Sequence, residues 1–313
     1  MISILLIYIL NSPLCIASVD NPTPQERSKI AIVYPDIDEP FRGIFAKIIE
    51  GIEGRLKGKV ASFPLSENTN TNDLALQIKR NGIQIAIVLG KPAIKAAMSF
   101  DRDITIIAGG ILSINESERR NIIGVSFTPD PDLLFENLKF VLPDIKKITV
   151  LYDPKYNGWL IDSAYEAAKK NGVELAAIES TNLGVAARYY TTALGSIDGR
   201  KEAFWLPQDP TTVNETTLLP LILKEAWEHH IPLVSSNLAH IKKGALLAVY
   251  PDNSWLGSTL AKMALKVLAG EKYRPGLLPL RDLQTAINLR TAVHLSINPD
   301  VPQRRFNTVF PER

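Results

Sequence analysis

Short β-branched runs alternate along the chain with segments whose apolar residues recur every three or four positions. The run "KIAIVYP" (residues 29–35) leads into Phe41 to Leu56, where Ile44, Phe45, Ile48, Ile49, Ile52 and Leu56 fall at helical spacing. This predicts a strand feeding a helix. Further apolar runs lie at Ile83 to Leu89, Ile104 to Ala108, Ile122 to Val125, Ile148 to Tyr152, Val173 to Ile178, Ala203 to Leu206, Ile231 to Val234 and Ala245 to Tyr250. Their apolarity is continuous rather than alternating, which suits parallel strands covered on both faces.

The punctuation between runs repeats. "LQIKRNGIQIAIVLG" and "EAAKKNGVELAAIES" each place basic residues in a last helical turn, then Asn-Gly as a left-handed stop, then a strand. Each half of the chain therefore reads as its own βαβ domain, with the changeover near "NIIGVSFTPDPD". A helical pattern from Trp255 to Leu268 follows the second half. Pro275, Gly276 and Pro279 then mark a connection, and Thr285 to Leu289 reads as one more strand. A helix and strand left over after the second sheet predict that the chain crosses between lobes more than once.

Composition narrows the classes. At 313 residues, 46% hydrophobic and 22% charged, the chain is long enough for two packed domains. A net charge of +2 without a basic, aromatic-interleaved stripe argues against nucleic acid as partner. Residues 1–19 read as a secretory signal peptide, a ten-residue apolar run followed by small residues, although no Lys or Arg precedes the run. The run is too short for a membrane span, which needs about 18 residues or more. Cys15, the single cysteine, falls inside this leader; Pro13 and Leu14 are poor neighbours for lipid attachment. A mature chain without cysteine has no disulfide and no thiolate chemistry.

In open α/β sheets, ligands sit beyond the carboxyl ends of strands. The turns there, among them "GKPA", "VSFTPD", "YDPKYNGW", "LPQDPTT", "VSSNL" and "YPDNSW", combine turn-formers with hydroxyls, amides and carboxylates. The same composition suits ordinary helix caps. No phosphate loop, dinucleotide fingerprint, nucleophile elbow or zinc-type histidine pair occurs, and no cofactor is implied. Trp205 and Trp227 read as core; Trp159 and Trp255 follow polar turns, where an aromatic suits either core or pocket wall.

The stretch from "NIIGVSFTPDPD" through "AFWLPQDPTT" to "IPLVSSNLAHIKKGALLAVYPDNSWLGSTLAKMALKVLAGEK" resembles the ABC transporter substrate-binding protein family, over about Ile30 to Ile297. The resemblance implies two Rossmann-like lobes with parallel sheets joined by a multi-strand hinge, as in type I periplasmic binding proteins. The lobes are expected at 28–127 plus 254–279 and at 128–253 plus 280–313. It further implies a periplasmic monomer that is not an enzyme, and that clamps a small, amino acid-like ligand for an ABC permease and ATPase. The alternative is a sensory module acting through a separate receptor or kinase. Carried over by position, the family's acidic residues fall on Asp209 and Asp252, its serine on Ser236, its polar turn on Asn157 and its first-lobe glycine on Gly90; Lys91 and Asn237 depart from its pattern. Asp209 and Asp252 are then expected to accept from an ammonium or hydroxyl group, and Ser236, Asn237 and Asn157 to be neutral hydrogen-bonders. Tyr34 and Trp159 are read as walls, and Gly90, Lys91 and Ser126 as first-lobe contacts. Lys91 replaces the family's usual hydroxyl and would favour an acidic ligand if it pointed inward.

Overall fold

The computed structural model describes residues 28–39, 41–119, 122–298 and 305–311. The leader and Cys15 lie outside the described residues. The chain opens with β1 (Ile30–Pro35), α1 (Phe41–Leu56), β2 (Ala61–Leu65), α2 (Thr71–Arg80), β3 (Ile85–Leu89), α3 (Gly90–Ala97), β4 (Thr105–Gly109), α4 (Glu116–Arg119) and β5 (Ile122–Pro129). It continues with α5 (Pro131–Val141), β6 (Lys147–Tyr152), α6 (Pro154–Lys170), β7 (Glu174–Glu179), α7 (Leu183–Ala193), β8 (Glu202–Leu206) and α8 (Leu218–Glu228). Then come β9 (Leu233–Ser235), α9 (Ala239–Lys243), β10 (Leu247–Pro251), α10 (Asn253–Leu268), β11 (Gly276–Leu280), β12 (Leu283–Asn288), α11 (Leu289–His294) and β13 (Thr308–Phe310).

The strands form two sheets. One is wholly parallel in the order β11-β5-β4-β3-β1-β2. The other runs β13-β12-β10-β9-β8-β6-β7, parallel except where β12 meets β10. Alternation along β1 sends Ile30 and Ile32 to the layer of α1 and α10, and Ala31 and Val33 to that of α2 and α3. Each buried isoleucine of this kind contributes about 1.5–3 kcal/mol. The helices start where a side chain can hold their free N–H groups: Asn70 caps α2, Asp130 α5, Asp153 α6, Asn182 α7 and Asp252 α10. The two Asn-Gly stops take the expected form, with Gly82 and Gly172 at φ 69° and 65°.

The two sheets exchange chain three times, from β5 to α5, from β10 to α10, and from β11 to β12. Each exchange leaves the carboxyl end of a strand, so those ends gather at the hinge. Hydrogen bonds stitch the crossings: Asp130 N–H to Leu280 C=O at 2.8 Å, Asp252 N–H to Asp282 C=O at 3.0 Å, and Thr259 Oγ1 to Asp282 Oδ2 at 2.5 Å. Arg281 adds an ion pair to Asp130 at 3.1 Å. The returning helix α10 seats on α1 at a pair of glycines. A Cβ on Gly51 would lie 1.9 Å from the Ser254 carbonyl oxygen, and one on Gly257 1.9 Å from that of Ile48.

Three sequence expectations change. β11 is a strand where Pro275, Gly276 and Pro279 read as a connection; it lies at a sheet edge, where proline is tolerated. β2, with an alternating burial pattern and Pro64, has no continuous apolar run and was not predicted. Trp227 is not core: it is 46% exposed and stacks on His294 with ring centroids 3.6 Å apart.

Candidate functional site

The loops beyond the strand ends form two walls. On the first-lobe side, β3 and β4 end at Gly90 and Gly110, whose φ angles of 77° and 67° favour glycine. Added Cβ atoms at these positions would meet the Phe45 ring at 3.1 and 3.0 Å, so the ring is slotted against both turns. Gly90 thus contributes backbone, and α3 begins there without a side-chain cap. Tyr34 sits half-buried at the end of β1. Ser126 is fully buried; its hydroxyl lies 2.7 Å from the Leu112 carbonyl and 3.2 Å from that of Ile111, and accepts from Thr128 N–H. It pins the 110–112 turn to β5 and has no reach toward a ligand. Lys91, 52% exposed, lies 3.6 Å from the Glu118 carboxylate. Its charge is already matched at the rim, which removes the reason to infer an acidic ligand.

The second-lobe wall is a hydrogen-bonded lattice centred on Asp209. This carboxylate is 3% exposed and accepts four bonds. Oδ1 takes the N–H groups of Thr211 and Thr212, both at 2.9 Å; Oδ2 takes Asp153 N–H at 2.7 Å and the Asn157 amide at 2.9 Å. A carboxylate offers about four acceptor positions. Asp209 has none left for an ammonium group, so its expected ligand role gives way to that of a buried brace joining the turns after β6 and β8. Asn157, equally buried, serves the same brace and also donates to Gln208 C=O at 3.3 Å. The Asp209 charge adds to burial, the larger cause, in pushing the Tyr190 phenol upward.

Two residues absent from the sequence reading complete the lattice. Asp153 caps α6 and accepts from Thr211 Oγ1 at 2.8 Å; Gln208 donates to Ser236 C=O at 2.9 Å, tying in the turn after β9. The Asp-Pro pair at the start of α6 is the signal that could have found Asp153, as a cap before a proline at the first helical position. Ser236, fully buried like Ser126, accepts through Oγ from the buried Trp205 indole at 3.2 Å and so holds the turn after β9 to β8. Asn237 faces elsewhere, to Glu215 at 3.1 Å and to the Ala239 N–H at 2.9 Å. There His240, buried, is held between Ser235 Oγ and Glu215 Oε1, each at 2.7 Å. Burial lowers the His240 pKa, with Lys243 adding to it, against the opposing pull of Glu215.

Asp252 is placed differently from Asp209. It stands half-buried at the hinge, caps α10 through Trp255 N–H at 3.1 Å and accepts from Gln284 at 2.9 Å, so half its acceptor capacity is unused. Trp255 beside it is 63% exposed. Trp159 packs partly buried on the second-lobe core, with its indole on Tyr156 C=O at 3.2 Å.

Two sheets of almost wholly parallel strands, joined by three crossings at the strand ends, define the type I periplasmic binding protein class. Comparison with known proteins makes this specific. The family model described as "ABC transporter substrate binding protein" matches residues 50–300, and the chain belongs to that family. It is 26% identical over 257 residues to the tyrosine-binding protein of Clostridioides difficile, covering 77% of this chain and 71% of that one. The ligand-free, open structure of a substrate-binding protein with adhesive properties from Clostridium difficile superposes with a TM-score of 0.65 at 19% identity, over 91% of this chain and all of the other. An ABC domain from Streptococcus pneumoniae in complex with L-Trp gives 0.52 at 20% identity, over 90% of this chain and all of that one.

Proposed function

We propose that this substrate-binding protein is exported to the periplasm and captures an amino acid-like ligand between its lobes for an ABC permease and ATPase. The observation that carries this reading is the contrast between the two aspartates. Asp209 is spent within one wall, whereas Asp252 stands at the hinge with acceptor capacity left for an ammonium group. Tyr34 and Trp159, each part-exposed, supply aromatic surface. The lobes, taken as 28–127 with 254–279 and 128–253 with 280–313, close about the three crossings. The tyrosine-binding relative and the L-Trp complex support the ligand class. The protein acts as a monomer and leaves its ligand chemically unchanged.

The test is thermal unfolding of the full chain against the twenty L-amino acids. An aromatic amino acid at about 100 times its Kd should add about 2.7 kcal/mol of stability. Asp252→Asn keeps an oxygen for Trp255 N–H but removes the charge and turns an NH₂ toward the Gln284 amide; ligand affinity should fall at least about tenfold, while apo stability loses only that one part-buried bond, about 1 kcal/mol. No stabilisation by any amino acid overturns the ligand class.

A further inference from the structure

A groove of about 550 Å³ runs along one flank of α1, starting at the end of β1. Its apolar surface comes from Tyr34, Ile37, Phe45, Ala46 and Ile49. Asp36, Glu50 and Glu53 stand around it, exposed, and none has a side-chain partner among the described residues. Arg42, the cation lining the groove, spends its charge on Asp38 at 3.0 Å and its Nε on Ile37 C=O at 3.1 Å. The net charge of the whole chain is +2, so this negative field is local. The α1 positions facing the groove recur every three or four residues from Arg42 to Gly54, about 18 Å at ~1.5 Å per residue, which is the length of a three-turn helix.

We propose that this groove is a docking surface for a basic amphipathic helix of a partner protein, with apolar residues at three- and four-residue spacing flanked by Lys or Arg. Charge complementarity selects the occupant. Ile37, Ala46 and Ile49 take the apolar stripe above the buried Phe45, and the three carboxylates meet its basic edges. A second copy offering its own α1 would set Glu50 and Glu53 against the same residues and be repelled. Strand addition at β2 is blunted, because Pro64 has no N–H to give.

Tyr34 borders both this groove and the surface assigned to the cleft, so the variants are placed further along α1, at residues 46, 50 and 53, and their outcome is separate from that of the transport reading. Fluorescein-labelled 14-residue peptides, one of Leu and Lys in amphipathic order and one of Leu and Glu, are titrated with the full chain by anisotropy. The Leu/Lys peptide should bind and the Leu/Glu peptide should not. Glu50→Lys with Glu53→Lys should weaken binding at least tenfold, and so should Ala46→Trp, which fills the groove without changing charge; both alter exposed side chains. The proposal is overturned if neither peptide binds, if both bind alike, if the variants bind as the parent does, or if the chain alone dimerises through this face.

Discussion

Replacing Asp209 with alanine should damage the fold before it touches ligand binding. The substitution leaves the buried backbone N–H groups of Asp153 and Thr212, the part-buried one of Thr211 and the Asn157 amide without their acceptor. An orphaned buried donor costs about 1–3 kcal/mol, and neighbouring losses are not additive, so about 3–5 kcal/mol is expected in total. At ~2–4 °C per kcal/mol for a unit of this size, the apo protein should melt about 10 °C lower. Asp209→Asn is the sharper variant. Its one oxygen can keep two of the four bonds, but its NH₂ then faces two donors, so about half the loss should remain. Thr211→Ala, which removes only the bond to Asp153, should cost about 1 kcal/mol. The assay is calorimetric or circular-dichroism melting without ligand. An Asp209→Ala protein that melts within 2 °C or so of the parent, yet no longer binds its ligand, would refute the brace and restore Asp209 as a direct contact.

Gly257→Ala should lower apo stability by more than the usual ~1–3 kcal/mol of overpacking, because its Cβ would meet backbone 1.9 Å away; a melting curve checks it. His240 is held below the ordinary histidine value, so the unfolded chain takes up its proton first. Stability should therefore decline as pH falls below about 6.5, and His240→Gln should flatten that part of a melting-versus-pH profile. Lys91→Met should change ligand affinity less than about threefold in calorimetric titration, since the charge is matched by Glu118. A larger loss would place the ammonium in the cleft.

The fold class was legible because parallel strands buried on both faces leave an apolar signature, and Asn-Gly stops mark where helices hand over to them. α1 was read with its observed ends, Phe41 and Leu56. Edge strands escaped, since β2 and β11 bury little and tolerate proline. For the site, sequence located the turns but not the use of their side chains. A carboxylate after a strand looks alike whether it braces two turns, as Asp209 does, or stands open at a hinge, as Asp252 does. Only the partners decide, and the ones that tell the two apart are distant in sequence: Asp153 and Asn157, 56 and 52 positions from Asp209, against Gln284, 32 positions from Asp252. Ser126 and Asn237 were indistinguishable from ligand contacts for the same reason.

The route of the chain through the two sheets also sets an order of assembly during synthesis. The first sheet lacks its edge strand β11 and the helix that covers α1 until the chain has passed residue 280, about 150 residues after β5 is complete. At roughly 5–20 residues per second, the ribosome takes roughly 8 to 30 s over that interval. During it the Gly51 surface and the Ile123 edge of β5 stand open to solvent and to other nascent chains. β6 to β10, by contrast, emerge as one uninterrupted run that awaits only β12 and β13 at its edge, so nascent chains arrested once β10 has left the ribosome should resist protease better in that run than in the segment before it. The part of the protein made first waits longest for its missing pieces, and a chaperone that engages this chain should hold its amino-terminal half.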